Sequence, residues 1–399
     1  MAVVAVLCVS APAEAAAAAP AEAFNGRVAF ASDRTEPTAG AAREFDVFSM
    51  NADGGDVRRL TTNPEGDRQP DWSPGGTALA YRIDRPGSPS NFEVARMTAA
   101  GTGHRRLTTT PTGQASSQPS WRPDGRGILF RRSGPGRVGS IWQMGPLGEN
   151  PMLRFQPPLV PLYPSWSPDK RRVLFAAFSS ARGDADRGIF TMGGDGSGPV
   201  TLFDVEGAYD SAPAWSPDGR RIAFESDADV AGANPERDME LWTMAADGSD
   251  RRQLTRNALH DEGPAWSPDG RLLAYTSGAD ERRGDIHVMT ATGRLPRRLT
   301  SYAGADESPD WQAIPAPRTA RDCGDVARGR GRDVRAIGRG LRCPQASALA
   351  RRWLRAGGPR RLRGFSADVD DFGGLRRVVL SRRDGGRGLV AFLAATAAA

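Results

Sequence analysis

Residues 213–224 read Pro-Ala-Trp-Ser-Pro-Asp-Gly-Arg-Arg-Ile-Ala-Phe. The stretch is a short strand ending at Trp215, then a turn, then a second strand. In the turn Pro217 presets φ and Gly219 is free to take a positive φ. Arg221-Ile222-Ala223-Phe224-Glu225 then alternates polar and apolar, as a half-buried strand does. Downstream, Leu241-Trp242-Thr243-Met244 supplies a third strand. Ala246-Asp247-Gly248 makes a hairpin turn into a fourth, Arg252-Gln253-Leu254-Thr255. Four short antiparallel strands in succession form the unit from which a propeller blade is built.

The phrase recurs. Copies stand at Trp72-Ser73-Pro74-Gly75-Gly76, Trp121-Arg122-Pro123-Asp124-Gly125, Trp166-Ser167-Pro168-Asp169-Lys170 and Trp266-Ser267-Pro268-Asp269-Gly270, with a last Trp in Ser308-Pro309-Asp310-Trp311. Successive Trp residues lie 49, 45, 49, 51 and 45 apart, within the period of roughly 40–50 residues that marks a β-propeller. Residues 26–32 match a second strand with no Trp strand before them, and residues 309–312 match a first strand with no second strand after them. Joined, they complete one blade and leave no exposed sheet edge at the seam. The sequence therefore predicts an all-β, six-bladed propeller closed by N- and C-terminal strands, with a small C-terminal α+β module. Each repeated Trp is expected to pack between adjacent blades, where a large apolar area is buried.

Four segments follow. Residues 1–23 read as a signal peptide or an Ala-rich leader, residues 24–314 as the propeller, 315–320 as a linker and 321–399 as an Arg-rich module. The leader has a short apolar core at residues 2–9, followed by Ala-x-Ala-type cleavage sites, which predicts export. No apolar run approaches the roughly 20 residues of a transmembrane helix. Residues 318–399 hold 19 Arg and 7 Asp, a net +12, which leaves −6 on residues 1–317 from the overall +6. The tail predicts a strand at 333–337, a helix at 345–356 and a hairpin joining 377–380 to 389–392. In an exported protein Cys323 and Cys343 are expected to form a disulfide. The basic tail suits an anionic wall polymer; with few aromatics to stack on bases, nucleic acid is the poorer partner.

The repeat Pro-Ala-Trp-Ser-Pro-Asp-Gly-Arg-Arg-Ile-Ala-Phe with Leu-Trp-Thr-Met-Ala-Ala-Asp-Gly (241–248) and Gln-Leu-Thr (253–255) resembles the TolB-type propeller repeat. The resemblance implies a non-enzymatic scaffold of the bacterial envelope, or an accessory domain of a hydrolase. TolB itself binds a peptidoglycan-associated lipoprotein, and nothing here matches the α/β domain that precedes its propeller.

A hydrolase would need a nucleophile turn of the form Gly-x-Ser-x-Gly, which the chain lacks; its histidines are His104, His260 and His287. The alternative to a binding protein is a propeller-type lyase or hydrolase whose catalytic residues carry no motif. The loops that lead into the first strands contain Asp67, Asp210, Asp261 with Glu262, and Asp306 with Glu307, while blade four offers Tyr163. Blades two, five, six and one would then raise an acidic crescent at the channel mouth, facing neutral and apolar blades three and four. Converging carboxylates favour a basic peptide of an envelope protein, a polyamine-like ligand or a divalent cation in the channel, with no other cofactor. The competing role is structural, since Asp and Ser also cap turns. Asp227, Asp229 and Asp238 lack the ordered spacing of a calcium loop.

Overall fold

A computed structural model describes residues 23–34, 44–315 and 365–394 apart from short breaks, the breaks being 86–87, 135–138, 157–158, 180–186, 231, 233, 280–282, 373–374 and 383–388. The leader, the linker beyond Pro315, the Cys323–Cys343 pairing and the helix expected at 345–356 lie outside the described residues.

Six four-stranded antiparallel sheets follow one another. Blade one is formed by both ends of the propeller segment: Asp306–Pro315 is innermost, then Ala23–Ser32, Asp46–Met50 and Arg58–Arg59. Val28 pairs with Trp311 and Ser32 with Asp306, so residues nearly three hundred apart in sequence close the ring. Pairing runs on to Ala23 and Pro315, one residue past each expected boundary. The innermost strands of blades two to six are Asp67–Trp72, Ala115–Trp121, Leu159–Trp166, Asp210–Trp215 and His260–Trp266. The upper face of the ring is the one where these strands begin; the Pro-Asp-Gly turns and Asp-Gly hairpins lie on the lower face.

Each repeated Trp is at least nine-tenths buried and packs against the preceding blade. Trp72 joins Ala29 and Val47 of blade one, Trp166 joins Leu129 and Ile141 of blade three, and Trp311 joins Ala274 and Ile286 of blade six. Trp266 also donates from Nε1 to the Ala214 carbonyl of blade five at 3.2 Å. The hairpin glycines bind the ring in the same sense. Gly248 has φ 88°, and a Cβ there would lie 2.7 Å from the Leu202 carbonyl oxygen of blade four; at Gly54 of blade one it would lie 2.5 Å from that of Leu299 of blade six. A side chain at either place would meet backbone that cannot yield.

The recurring Leu-Thr of the fourth strand has a second task. Thr61, Thr108, Thr255 and Thr300 each accept a third-strand N–H through Oγ1 at 2.8–2.9 Å. Thr61, Thr108 and Thr300 also donate to the acid directly before that N–H, namely Asp46, Glu93 and Asp285. Blades three and four have Phe155 and Phe203 in place of the Thr, paired with Ile141 and Ile189, and hold Ser140 and Gly188 where the other blades have the acid.

Beyond the propeller, Phe365–Phe372, Leu375–Arg382 and Leu389–Ala394 form an antiparallel three-stranded sheet, with Val379 opposite Val390. Its second and third strands contain the hairpin read from the sequence.

Candidate functional site

Every innermost strand carries a bulge at the same place. Gln69, Gln118, Tyr163, Ala212, Gly263 and Ser308 precede a proline and hold φ between 43° and 60°. Left-handed backbone costs an L-residue about 1–2 kcal/mol, so the sheet around each bulge must enforce it. The register slips between Arg68 and Asp71, and equivalently in the other five strands. The bulge opens the inner strand toward the axis, and the six X-Pro pairs line a central channel of about 320 Å³. Bulge N–H groups are taken up by neighbouring blades: Gln118 N donates to Gln69 Oε1 at 3.1 Å, Tyr163 N to Gln118 Oε1 at 3.0 Å and Gly263 N to Glu225 Oε2 at 2.7 Å. Lower in the channel wall, Asp310 and Asp71 accept the backbone N–H of Trp72 and Trp121. Burial lifts both carboxyls, Asp310 to about 7, and each charge raises the cost of the other.

The seven residues assigned to the mouth separate into two groups. Asp67, Asp210 and Asp306 expose nothing and Asp261 exposes 1%; none of the four lines the channel. They are clasped beneath the upper face. Asn63 donates to Asp67 at 3.3 Å, Ser226 and Val205 N to Asp210, Asn257 to Asp261 at 2.7 Å, and Arg34 Nη2 to both oxygens of Asp306 at 2.7 Å. Burial pushes Asp67 up to about 8 and Asp210 to about 7, and it raises Asp261. The sequence gives an Asp at a strand start, and turn chemistry alone does not say whether the strand begins at the lip or below it. The lip carboxylates expected there are therefore replaced by buried ones.

Tyr163, Glu262 and Glu307 do reach the mouth. Tyr163 lines the channel. Glu262 and Glu307 border a small cleft between blades six and one with His260 and Thr276, their side chains 31% and 25% exposed. Glu262 Oε1 lies 3.8 Å from His260 Nδ1. The crescent is interrupted on one side: Arg68, stacked 3.5 Å over Phe45, pairs with Glu307 at 3.1 Å.

Three further residues complete the mouth, Glu225, Arg187 and Tyr209, and none was singled out in the sequence as a site residue. Glu225 sits opposite Ser211 on the second strand of blade five. Burial and then the charge of Glu262 push it up to about 8, against the opposing pull of the Gly263 N–H and Arg187. Arg187 stacks 3.9 Å over Tyr209 and bonds its hydroxyl. Burial, and then the charge of Glu225, hold the Tyr163 phenol well above its ordinary range. The repeat does contain a signal for Glu225. Its equivalents are Ala31, Arg82, Arg131, Ala176 and Thr276, one position of varied chemistry directly after three buried apolar residues in every blade.

Asp227 and Asp229 cap loop amides, taking Tyr209 N at 2.7 Å and Asn234 N at 2.9 Å. Among the described residues no group of three or more His, Cys, Asp or Glu converges as a metal would require. No helix there is long and apolar enough to cross a membrane.

Residues 162–314 match the TolB beta propeller domain. Blades four to six and the strand that closes the ring therefore carry the TolB-type repeat. TolB from Acinetobacter baumannii superposes with a TM-score of 0.58 at 21% identity, over 74% of this chain and 68% of that one. A putative TolB from Agrobacterium tumefaciens gives 0.52 at 20%, over 74% and 99%. The nidogen/laminin complex contains a chain that gives 0.56 at 10%, over 73% and 100%. At these identities the solved structures establish the fold. No curated protein sequence matches.

Proposed function

We propose that this is an exported, non-catalytic propeller that holds a basic segment of an envelope protein at the upper mouth of its channel. The TolB-type domain supports a protein partner, and the leader at residues 1–23 supports export. One observation carries the reading: Glu225 and Glu262 stand together at the mouth, and the charge of one raises the proton affinity of the other. An ammonium or guanidinium group arriving there relieves that repulsion and adds charge-assisted hydrogen bonds. The Tyr163 and Tyr209 rings beside it would cover the aliphatic stem of a Lys or Arg. The Arg-rich module at residues 321–399 is proposed to contact an anionic wall polymer. Titration calorimetry with an oligolysine peptide tests the mouth. Glu262→Gln is expected to weaken binding by about tenfold, one charge-assisted contact; equal affinity for both proteins would remove the reading.

A catalytic reading rests on the same carboxyl. A group held at about 8 beside a phenol and Arg187 has the proton affinity of a general acid or base. Hydrolase or lyase turnover in a substrate screen, abolished in Glu225→Gln, would select it.

A further inference from the structure

The lower face departs from its repeat in blades three and four, and both departures open onto one groove. In blades four, five and six the Ser of Trp-Ser-Pro-Asp closes the turn: Ser167, Ser216 and Ser267 each donate from Oγ to the turn Asp and accept an N–H at 2.9 Å. Blade three gives up that clasp and places Arg122 there, its guanidinium 5.3 Å over the Trp166 ring of blade four. In blades two, three, five and six the turn ends on Gly76, Gly125, Gly219 and Gly270, with φ between 63° and 71°; blade four instead forces Lys170, the chain's only lysine, to φ 65°. A left-handed non-glycine residue is a local cost. The turn geometry needs neither cation.

The groove between these turns has a volume of about 450 Å³ and is lined by Arg122, Arg154, Lys170, Arg171, Asp195 and the Trp166 indole. Gly194 keeps the indole edge open, for a Cβ there would lie 2.7 Å from it. Four cations face one carboxylate, and that carboxylate is occupied: Asp195 accepts Ser197 N at 3.0 Å and Oγ at 2.6 Å. The cations are far less engaged. Arg122 stands 3.6 Å from Asp124, and Arg154 donates to Gln143 at 3.1 Å. Among the described residues neither Lys170 nor Arg171 has a side-chain ion pair. Three guanidinium forks and an ammonium around a concave floor suit a compact, multiply charged oxyanion.

We propose that this groove binds the phosphate or diphosphate group of a ligand, at a site separate from the channel mouth and on the opposite face. The test restores the repeat rather than disrupting it. Arg122→Ser with Lys170→Gly returns both turns to the form used in the other blades, so the urea midpoint is expected to hold or rise. Calorimetry at low salt with pyrophosphate should show binding to the wild-type chain. The double variant should bind about tenfold more weakly or worse, and Arg154→Gln should fall between. Long-chain polyphosphate binding more tightly than pyrophosphate would assign the group to a polymer, and equal affinities to a small molecule; either keeps the assignment. Equal pyrophosphate affinity in wild type and double variant, or none at millimolar concentration in the wild type, overturns it and leaves the mouth untouched.

Discussion

Replacing Arg34 with Ala should loosen the ring at its seam. Arg34 follows the N-terminal strand of blade one, and its Nη2 meets both oxygens of Asp306, the first residue of the C-terminal strand, at 2.7 Å. Asp306 is fully buried, whereas the Arg34 side chain keeps 21% of its surface. Removing one partner of a fully buried pair costs about 3–5 kcal/mol, most of it the charge left behind. The exposed edge of Arg34 screens part of that. In the other direction, the guanidinium also lies 5.0–5.5 Å from the Phe30, Phe48 and Tyr302 rings, contacts that vanish with it. Together these point to a loss of about 3 kcal/mol, a large share of a typical 5–15 kcal/mol. Asp306→Asn should cost less, about 1 kcal/mol, because Arg34 keeps its rings and its access to water. The double variant should be more stable than Arg34→Ala alone, since the stranded charge is gone. Urea unfolding of the four proteins gives the cycle. An Arg34→Ala protein within about 0.5 kcal/mol of wild type, or a double variant less stable than Arg34→Ala, refutes this view of the seam.

Stability should fall as pH rises from about 5 to 8.5. Asp67 and Glu225 are held at about 8, and Asp210, Glu240 and Asp310 at about 7, all chiefly by burial. The unfolded chain releases those protons near pH 4. Between the two values the folded state binds more protons, so its advantage is present at low pH and lost as pH climbs through the folded values. A urea midpoint that rises over this window would contradict the assignment, and Asp67→Asn should flatten the slope. Trp266→Ala, which empties a site between blades five and six, should cost about 3–5 kcal/mol, read from the same denaturation curves. Gly248→Ala should destabilise by about 1 kcal/mol or more, from the positive φ and the Leu202 carbonyl together.

The ring was legible because its signals are local and repeated. A Trp, a Pro-Asp-Gly turn and an Asp-Gly hairpin recur at one period, and the two unmatched half-repeats supply the seam. The mouth was legible only in part. Glu262, Glu307 and Tyr163 were found there, since they flank the X-Pro bulge. Asp67, Asp210, Asp261 and Asp306 sit one or two residues earlier and were read as lip residues too. Strand alternation separates them: a step of one residue turns a side chain from the channel rim to the interior between blades. Two of the four Asp are bonded by the Thr of the preceding blade, Asp67 by Thr61 and Asp261 by Thr255, an arrangement visible only once blades are side by side. Glu225 and Arg187 were missed because they belong to the second and third strands, whose distance from the axis no spacing in the chain records. The Leu-Thr motif, by contrast, was present in the sequence as a strand signal, and its hydroxyl carried more meaning than its β-propensity.

Hydrogen exchange on the full chain, free and with the oligolysine peptide bound, tests the binding mouth most directly. The account predicts slowed exchange at residues 209–212, 260–263 and 306–308, with the Pro-Asp-Gly turns of the lower face unchanged. Protection confined to those turns, or none anywhere on the ring, would contradict it.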